Sequence, residues 1–206
     1  MKSPKILIVY YSMYGHIYEM ARQVKEGIEA AGGTVVLKRV AELVPEQFLD
    51  PYARQAAQAQ KDIEVADPRA DLQGIDGVIV GTPTRFGNMA SQMKNFWDQT
   101  GGDWMKGTLV GKPGGVFTST ATQHGGQEST ILATHTVLLH HGCVIVGLPG
   151  AVAPALGTLD ALQGGSPYGP GTIAGGRGER LPSEIEKTMA RDFGAHFSKI
   201  ASRLQS

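Results

Sequence analysis

Cysteine is nearly absent: Cys143 is the only one. An internal disulfide is therefore excluded, and with it the disulfide-stapled secreted scaffolds. Cys143 opens the apolar run Cys143-Val144-Ile145-Val146 and reads as a buried structural residue. An excess of charge is missing as well. The 19 basic residues balance the 19 acidic ones, leaving no global field to gather nucleic-acid phosphates or an anionic membrane surface. No apolar stretch approaches the roughly 18 to 20 residues of a membrane span. Met1-Lys2-Ser3-Pro4 runs into a strand without the apolar core of a signal peptide. Nucleic acid and integral membrane are thus not expected as partners, and a cytoplasmic location is. With no sharp shift in composition, residues 1–206 are expected to form a single domain.

What is present is a repeated pattern. Short apolar runs rich in β-branched residues lie at Lys5 to Tyr11, Thr34 to Val40, Gly77 to Thr82, Gly114 to Ser119 and Cys143 to Leu148. None alternates with polar residues, so each strand needs cover on both faces, which favours a parallel sheet sandwiched by helices. From Ile17 to Ala31, Met20, Val24 and Ile28 fall on one helical face, and Gly32-Gly33 supplies a stop. Further helices are expected over Asn88 to Asp98 and from Gln127-Glu128 to His140-His141. Near the end, Ser183-Glu184-Ile185-Glu186 spells a capping box, and Ile185, Met189, Phe193, Phe197 and Leu204 share a stripe. Two connections are long. Ala41 to Asp76 holds an Ala/Gln-rich stretch, Gln55 to Lys61, expected as a partly exposed helix without chemistry. Gly150 to Leu181 is crowded with glycine and proline and is expected as an ordered insertion before the last helix. The fold class is α/β: a flavodoxin-like, doubly wound, five-stranded parallel sheet of order 2-1-3-4-5 with that Gly/Pro-rich insertion.

In such a sheet the carboxyl ends of strands 1, 3 and 4 lie side by side and bind ligands. The unusual loops follow those strands: Ser12-Met13-Tyr14-Gly15-His16-Ile17, Pro83-Thr84-Arg85-Phe86-Gly87-Asn88, and Ser119-Thr120-Ala121-Thr122-Gln123-His124-Gly125-Gly126. The first opens a helix, so its N–H groups, the Ser12 hydroxyl and the helix dipole can hold a phosphate without any lysine. Ser12 can equally be a plain helix cap. The loop has neither the G-x-G-x-x-G of dinucleotide sites nor the G-x-x-x-x-G-K-[ST] of nucleoside triphosphate sites. It also lacks the acidic cluster of a receiver domain. In the second loop Arg85 and Phe86 suit an isoalloxazine, which wants donors at its pyrimidine edge and a flat apolar neighbour. Packing and a solvated tip are the plainer readings. Trp104, in Thr100-Gly101-Gly102-Asp103-Trp104, reads either as a ligand-stacking residue or as a core or interface tryptophan. His135, His140 and His141 do not share a helix face and no acid or thiolate joins them, so no metal site is expected. His140, at a helix end, can bond a flavin or quinone carbonyl or be purely structural.

Over essentially its whole length the chain resembles the WrbA family of type IV NAD(P)H:quinone oxidoreductases. The resemblance rests on Tyr10 to Ile17, Gly81 to Met89, Asp98-Gln99-Thr100-Gly101-Gly102, His140-His141-Gly142 and Pro167-Tyr168-Gly169. It implies that Ser12, Met13, Tyr14, Gly15, His16 and Ile17 hold the phosphate and ribityl chain of FMN. Pro83, Thr84, Arg85, Phe86 and Gly87 line the ring, and Ser119, Thr120, Ala121, Thr122, Gln123 and His124 wrap its far edge. Tyr14 is implied in binding the nicotinamide cofactor and Trp104 in walling the substrate space. His140 is implied in contacting flavin or substrate from a neighbouring subunit of a homotetramer. The implied activity is hydride transfer from NADH or NADPH, by way of the flavin N5, to a quinone in ping-pong order, with no side chain as catalytic group. One departure stands out: Ala121, Gln123 and His124, with one extra residue, replace the family's glycine run. Two alternatives stay open, a flavodoxin-like electron carrier and a non-enzymatic interaction protein. The missing acidic surface argues against the first.

Overall fold

Strands that are apolar at successive positions must bury both faces, and the sheet is built on that requirement. The computed structural model describes residues 3–205; Met1 and Lys2 of the N-terminal stretch considered above lie outside them, as does Ser206. In chain order the elements are β1 (Lys5–Tyr10), α1 (His16–Ala30), β2 (Thr34–Arg39), α2 (Pro51–Ala59), β3 (Gly77–Arg85), β4 (Asn88–Met89), α3 (Ser91–Asp98), α4 (Gly101–Lys106), β5 (Pro113–Thr120), α5 (Gln127–His140), β6 (Val144–Ile145), β7 (Gly171–Ile173) and α6 (Glu184–Leu204). The sheet runs β2-β1-β3-β5-β6, with all four of those pairings parallel. This is the expected 2-1-3-4-5 path. On β1, Leu7 and Val9 join one buried cluster with Val78, Val80, Met93, Phe96 and Ile131. Their neighbours Ile6, Ile8 and Tyr10 join the other, with Met20, Val24, Ile28, Phe193 and Phe197. Period-two alternation thus loads both layers from one apolar run.

The fifth strand differs from the expected Cys143 to Leu148. Only Val144–Ile145 pairs with the start of β5, and a second piece, Gly171–Ile173, pairs in parallel with Thr118–Thr120 at its end. Between them the insertion returns to the β5 edge. Pro170 O accepts the Thr118 N–H at 3.1 Å and Pro167 O accepts the Leu148 N–H at 2.8 Å. A Cβ on Gly169 would stand 2.1 Å from Val116 O, and one on Gly147 would stand 2.5 Å from Pro167 O. The edge of β5 is therefore satisfied by two segments far apart in sequence, which no local pattern reveals. The insertion is ordered, as expected. Cys143 is buried, and burial pushes its thiol up to about 12.

Two further expectations shift. The helix expected from Asn88 starts at Ser91, because Asn88–Met89 pairs antiparallel with Thr84–Arg85. Leu204, read into the closing stripe, is half exposed, whereas Ala201 is buried. The Phe86-Gly87 turn of the new hairpin has positive φ at both residues, 53° and 81°, as a two-residue primed turn requires. For a bulky residue such as Phe86 that conformation is strained. Phe86→Asn is expected to stabilise the protein by up to about 1 kcal/mol, since asparagine tolerates left-handed backbone, and urea denaturation will read the gain.

Helices α1 and α6 cross at a contact set by glycine. A Cβ on Gly194 would sit 2.1 Å from Val24 O, and one on Gly27 would sit 2.0 Å from Arg191 O, both backbone atoms that cannot swing aside. Gly194→Ala should cost about 1–3 kcal/mol by overpacking, whereas Gly101→Ala, whose Cβ meets open space, should not destabilise; urea midpoints separate the two.

On α5, His135 is buried with Nε2 unpartnered, and burial lowers its pKa from 6.5 to about 4. The unfolded chain therefore binds a proton that the folded one refuses. Stability falls as pH drops from 6.5 toward about 4, by roughly 1–3 kcal/mol for this group. His135→Leu is expected to flatten that part of the stability–pH profile, measured by urea denaturation at successive pH values.

Candidate functional site

Loops leaving adjacent parallel strands diverge at the carboxyl ends and leave a crevice. Here a cavity of about 410 Å³ opens at the ends of β1, β3 and β5, within the usual size range of small-molecule sites. Ser12, Met13, Tyr14, His16 and Ile17 line it after β1, Pro83, Thr84 and Arg85 at the end of β3, and Ser119, Thr120 and Ala121 at the end of β5. Three loops distant in sequence are brought together.

The loop after β1 is shaped by Gly15, whose φ of 89° marks the entry to α1. Ser12 Oγ accepts the Tyr18 N–H at 3.1 Å and so reaches into the first helical turn as a cap. Among the described residues, no acceptor takes the N–H groups of residues 13–17. These donors lie at the positive end of the α1 dipole, which suits an anion. His16 is buried with Nε2 unpartnered, and burial lowers its pKa, opposed by the backbone of Gly178 and Arg180 and by the charge of Glu186.

A second wall comes from residues that sequence reasoning passed over. Asp50 and Tyr52, at the start of α2, line the cavity, although the connection holding them was expected to carry no chemistry. Asp50 caps α2 by accepting the Ala53 N–H at 2.9 Å, and it accepts the Tyr14 hydroxyl at 3.0 Å. The Ala53 N–H, helped by Tyr14, holds the Asp50 carboxyl below the usual range. Burial, followed by that bond, pushes the Tyr14 phenol up. Gln60 Nε2 donates to Ser12 O at 3.1 Å, tying the far end of α2 to the same loop. The Asp50-Pro51 pair was the available signal, since it spells a helix start.

The third wall is the segment between β7 and α6, with Ala174, Gly175, Gly176, Arg177 and Gly178 on the cavity. Its anchor is Glu186, fully buried. The Glu186 carboxylate accepts from Gly164 N at 2.9 Å, Ile173 N at 3.1 Å, Thr172 Oγ1 at 3.0 Å, Ser183 N at 2.8 Å and Arg180 Nη1 at 2.9 Å. The expected capping box is present, but its glutamate does more than cap. Arg180 N donates to Ala174 O at 2.8 Å and Ala174 N to Thr120 O at 2.7 Å, closing the segment onto β5.

Other sequence candidates lie elsewhere. Gly15 borders an adjoining groove with Tyr52, Gln55 and Arg177. Phe86 is wholly exposed at the hairpin tip, and neither it nor Gly87 lines the cavity. Thr122 O accepts from Thr120 Oγ1 at 2.8 Å, folding the loop back, so Thr122, Gln123 and His124 do not line the cavity either. Gln123 and His124 border a separate polar hollow with Gln127 and Gln163, and His124 adopts φ of 52°. Trp104 Nε1 donates to His140 O at 2.9 Å, and both residues line a third hollow that shares no residue with the main cavity. Within one chain, Trp104 and His140 are joined to each other and stand apart from the three loops.

The family described as NADPH-dependent FMN reductase matches residues 4–155. A protein of Aromatoleum aromaticum named "NAD(P)H dehydrogenase (quinone)" is 57% identical over 202 residues, covering 97% of both chains. One of the same name from Chromohalobacter salexigens is 53% identical, covering 97% of this chain and 98% of its own. Among solved structures, a flavodoxin described as a WrbA-like protein from Agrobacterium tumefaciens superposes with a TM-score of 0.65 at 25% identity, covering 98% of this chain and 99% of that one. An archaeal flavodoxin superposes with a TM-score of 0.62 over 96% of this chain and 99% of that one; at 15% identity it supports the fold alone. On this match the chain belongs to the NADPH-dependent FMN reductase family, among the WrbA-like proteins named NAD(P)H dehydrogenase (quinone).

Proposed function

We propose that this protein is a single-domain, FMN-dependent NAD(P)H:quinone oxidoreductase that uses NADH or NADPH to reduce quinones to hydroquinones. The observation that carries the reading is the cavity itself. Unclaimed N–H groups of residues 13–17 stand at the dipole end of α1, opposite hydroxyl-rich loops from β3 and β5, in a chain 57% identical to a protein named for this activity. The donor set fits a flavin mononucleotide: anion donors at one end, and the Arg85 guanidinium with the Thr84 hydroxyl at the other. When bound, FMN supplies the two-electron chemistry that links the nicotinamide cofactor to the quinone. The protein's part is placement and charge. Ser12 to Ile17 hold the phosphate and ribityl chain. Thr84, fixed by the Thr130 hydroxyl at 2.8 Å, and Arg85 hold the ring and favour negative charge at its pyrimidine edge. Ser119 to Ala121 close the far side.

The reading extends to a cytoplasmic homotetramer. Trp104, bonded to His140 O, is half exposed, and Met105 and Leu139, next to them in the chain, are exposed as well, the kind of apolar surface that assembly covers. A neighbouring copy would then bring Trp104 and His140 to the cavity, with Tyr14 at the nicotinamide, and Phe86, Gly87 and the Thr122 to His124 turn at its rim.

The test is anaerobic. FMN-loaded protein is mixed with NADH and then benzoquinone while the visible flavin absorbance is followed. Rapid bleaching by NADH and recovery with benzoquinone are expected; flavin that stays oxidised under NADH would reject the enzyme assignment. Arg85→Ala is expected to lower kcat/KM roughly 10- to 100-fold with the fold intact.

A further inference from the structure

The cavity lining carries two cations, Arg85 and Arg177, and one carboxylate, Asp50. Arg85 is engaged with its own strand, Nη1 donating to Thr84 O at 2.9 Å. Arg177 sits on the opposite wall, on a turn closed by Gly178 N donating to Gly175 O at 3.1 Å. Its guanidinium makes no hydrogen bond or ion pair with the described residues. The nearby acid, Glu179, feels the Arg177 charge but is turned back on the turn without pairing to the guanidinium: Oε2 accepts the Arg177 backbone N–H at 2.8 Å. That turn abuts the entry to α1, for a Cβ on Gly178 would lie 3.4 Å from His16 Cε1. His16, 6% exposed, brings a ring nitrogen without a partner to the same end of the cavity.

We infer that Arg177 supplies the positive charge met by the phosphate of the bound flavin mononucleotide, completing the N–H cradle of residues 13–17. The inference rests on the cavity being the FMN site. Backbone N–H groups and a helix dipole contribute partial charges, whereas a guanidinium adds a full one and can bond two phosphate oxygens at once. The turn presenting it is already fixed through Ala174, Arg180 and Glu186, so little backbone order is lost on binding. The residue therefore separates phosphorylated from unphosphorylated flavin.

The experiment titrates flavin-free protein with FMN and with riboflavin by fluorescence quenching, for the wild type, Arg177→Gln and Arg177→Lys. Arg177→Gln is expected to weaken FMN about 5- to 20-fold and to leave riboflavin within about twofold. Arg177→Lys should restore most of the FMN loss, and added salt should narrow the gap. Unchanged FMN affinity in Arg177→Gln, or equal weakening of both flavins, overturns the inference. If the wild type binds neither flavin, the FMN reading itself fails and takes the inference with it. Circular dichroism checks that the exposed substitutions leave the fold intact.

Discussion

A fully buried carboxylate is tolerable only when its lone pairs are satisfied, and Glu186 meets that condition by drawing in backbone and side chains from three directions. Its acceptors fix the insertion at Gly164, the last piece of the sheet at Thr172 and Ile173, and the start of α6 at Ser183. Arg180 balances the charge and bonds Leu162 O at 2.9 Å. Much follows from this one group. A segment rich in glycine loses more conformational entropy on ordering than most, and a dry, charge-assisted hub offsets that loss where an apolar core is thin. The segment that bears Arg177 owes its fixed course to the same bonds.

The cavity depends on the opposite condition, donors that the fold leaves unclaimed. Helix α1 begins without a side chain on its leading N–H groups except for Ser12 at Tyr18. Side-chain caps are present on α2, from Asp50, and on α6, from Ser183, whereas the N-cap residues of α3, α4 and α5 supply none. What sets α1 apart is that its leading N–H groups open onto the cavity. Strained backbone lies outside the cavity lining: Phe86 and His124 are the non-glycine residues with positive φ among those described, and each sits in a loop leaving a central strand.

The strand path, the helical faces and the three loops were legible because they depend on short-range periodicity. Leu7 and Ile8 load different layers through alternation alone, and Gly32 stops α1 where the apolar repeat ends. The five blocks shared with the family extended that reading to function. The β3–β4 hairpin was not legible, since Phe86 contradicts the residue preference of its turn. The divided fifth strand was not either, because Gly169 meets Val116 across a separation that no local window spans. Asp50 and Arg177 reached the cavity by the same kind of long return.

The sequence by itself determined a doubly wound parallel sheet, a crevice at the ends of its first, third and fourth strands, and a phosphate-ready loop at the first of them. Backbone periodicity and local capping decide those features. Only the tertiary structure decided which distant segments wall the crevice, since the course of α2's start and of the Gly175–Gly178 turn is set by hydrogen bonds to partners remote in sequence. It also decided that Trp104 and His140 pair with each other outside the crevice, because a hydrogen bond joins α4 to the end of α5 beside a hollow that shares no residue with it.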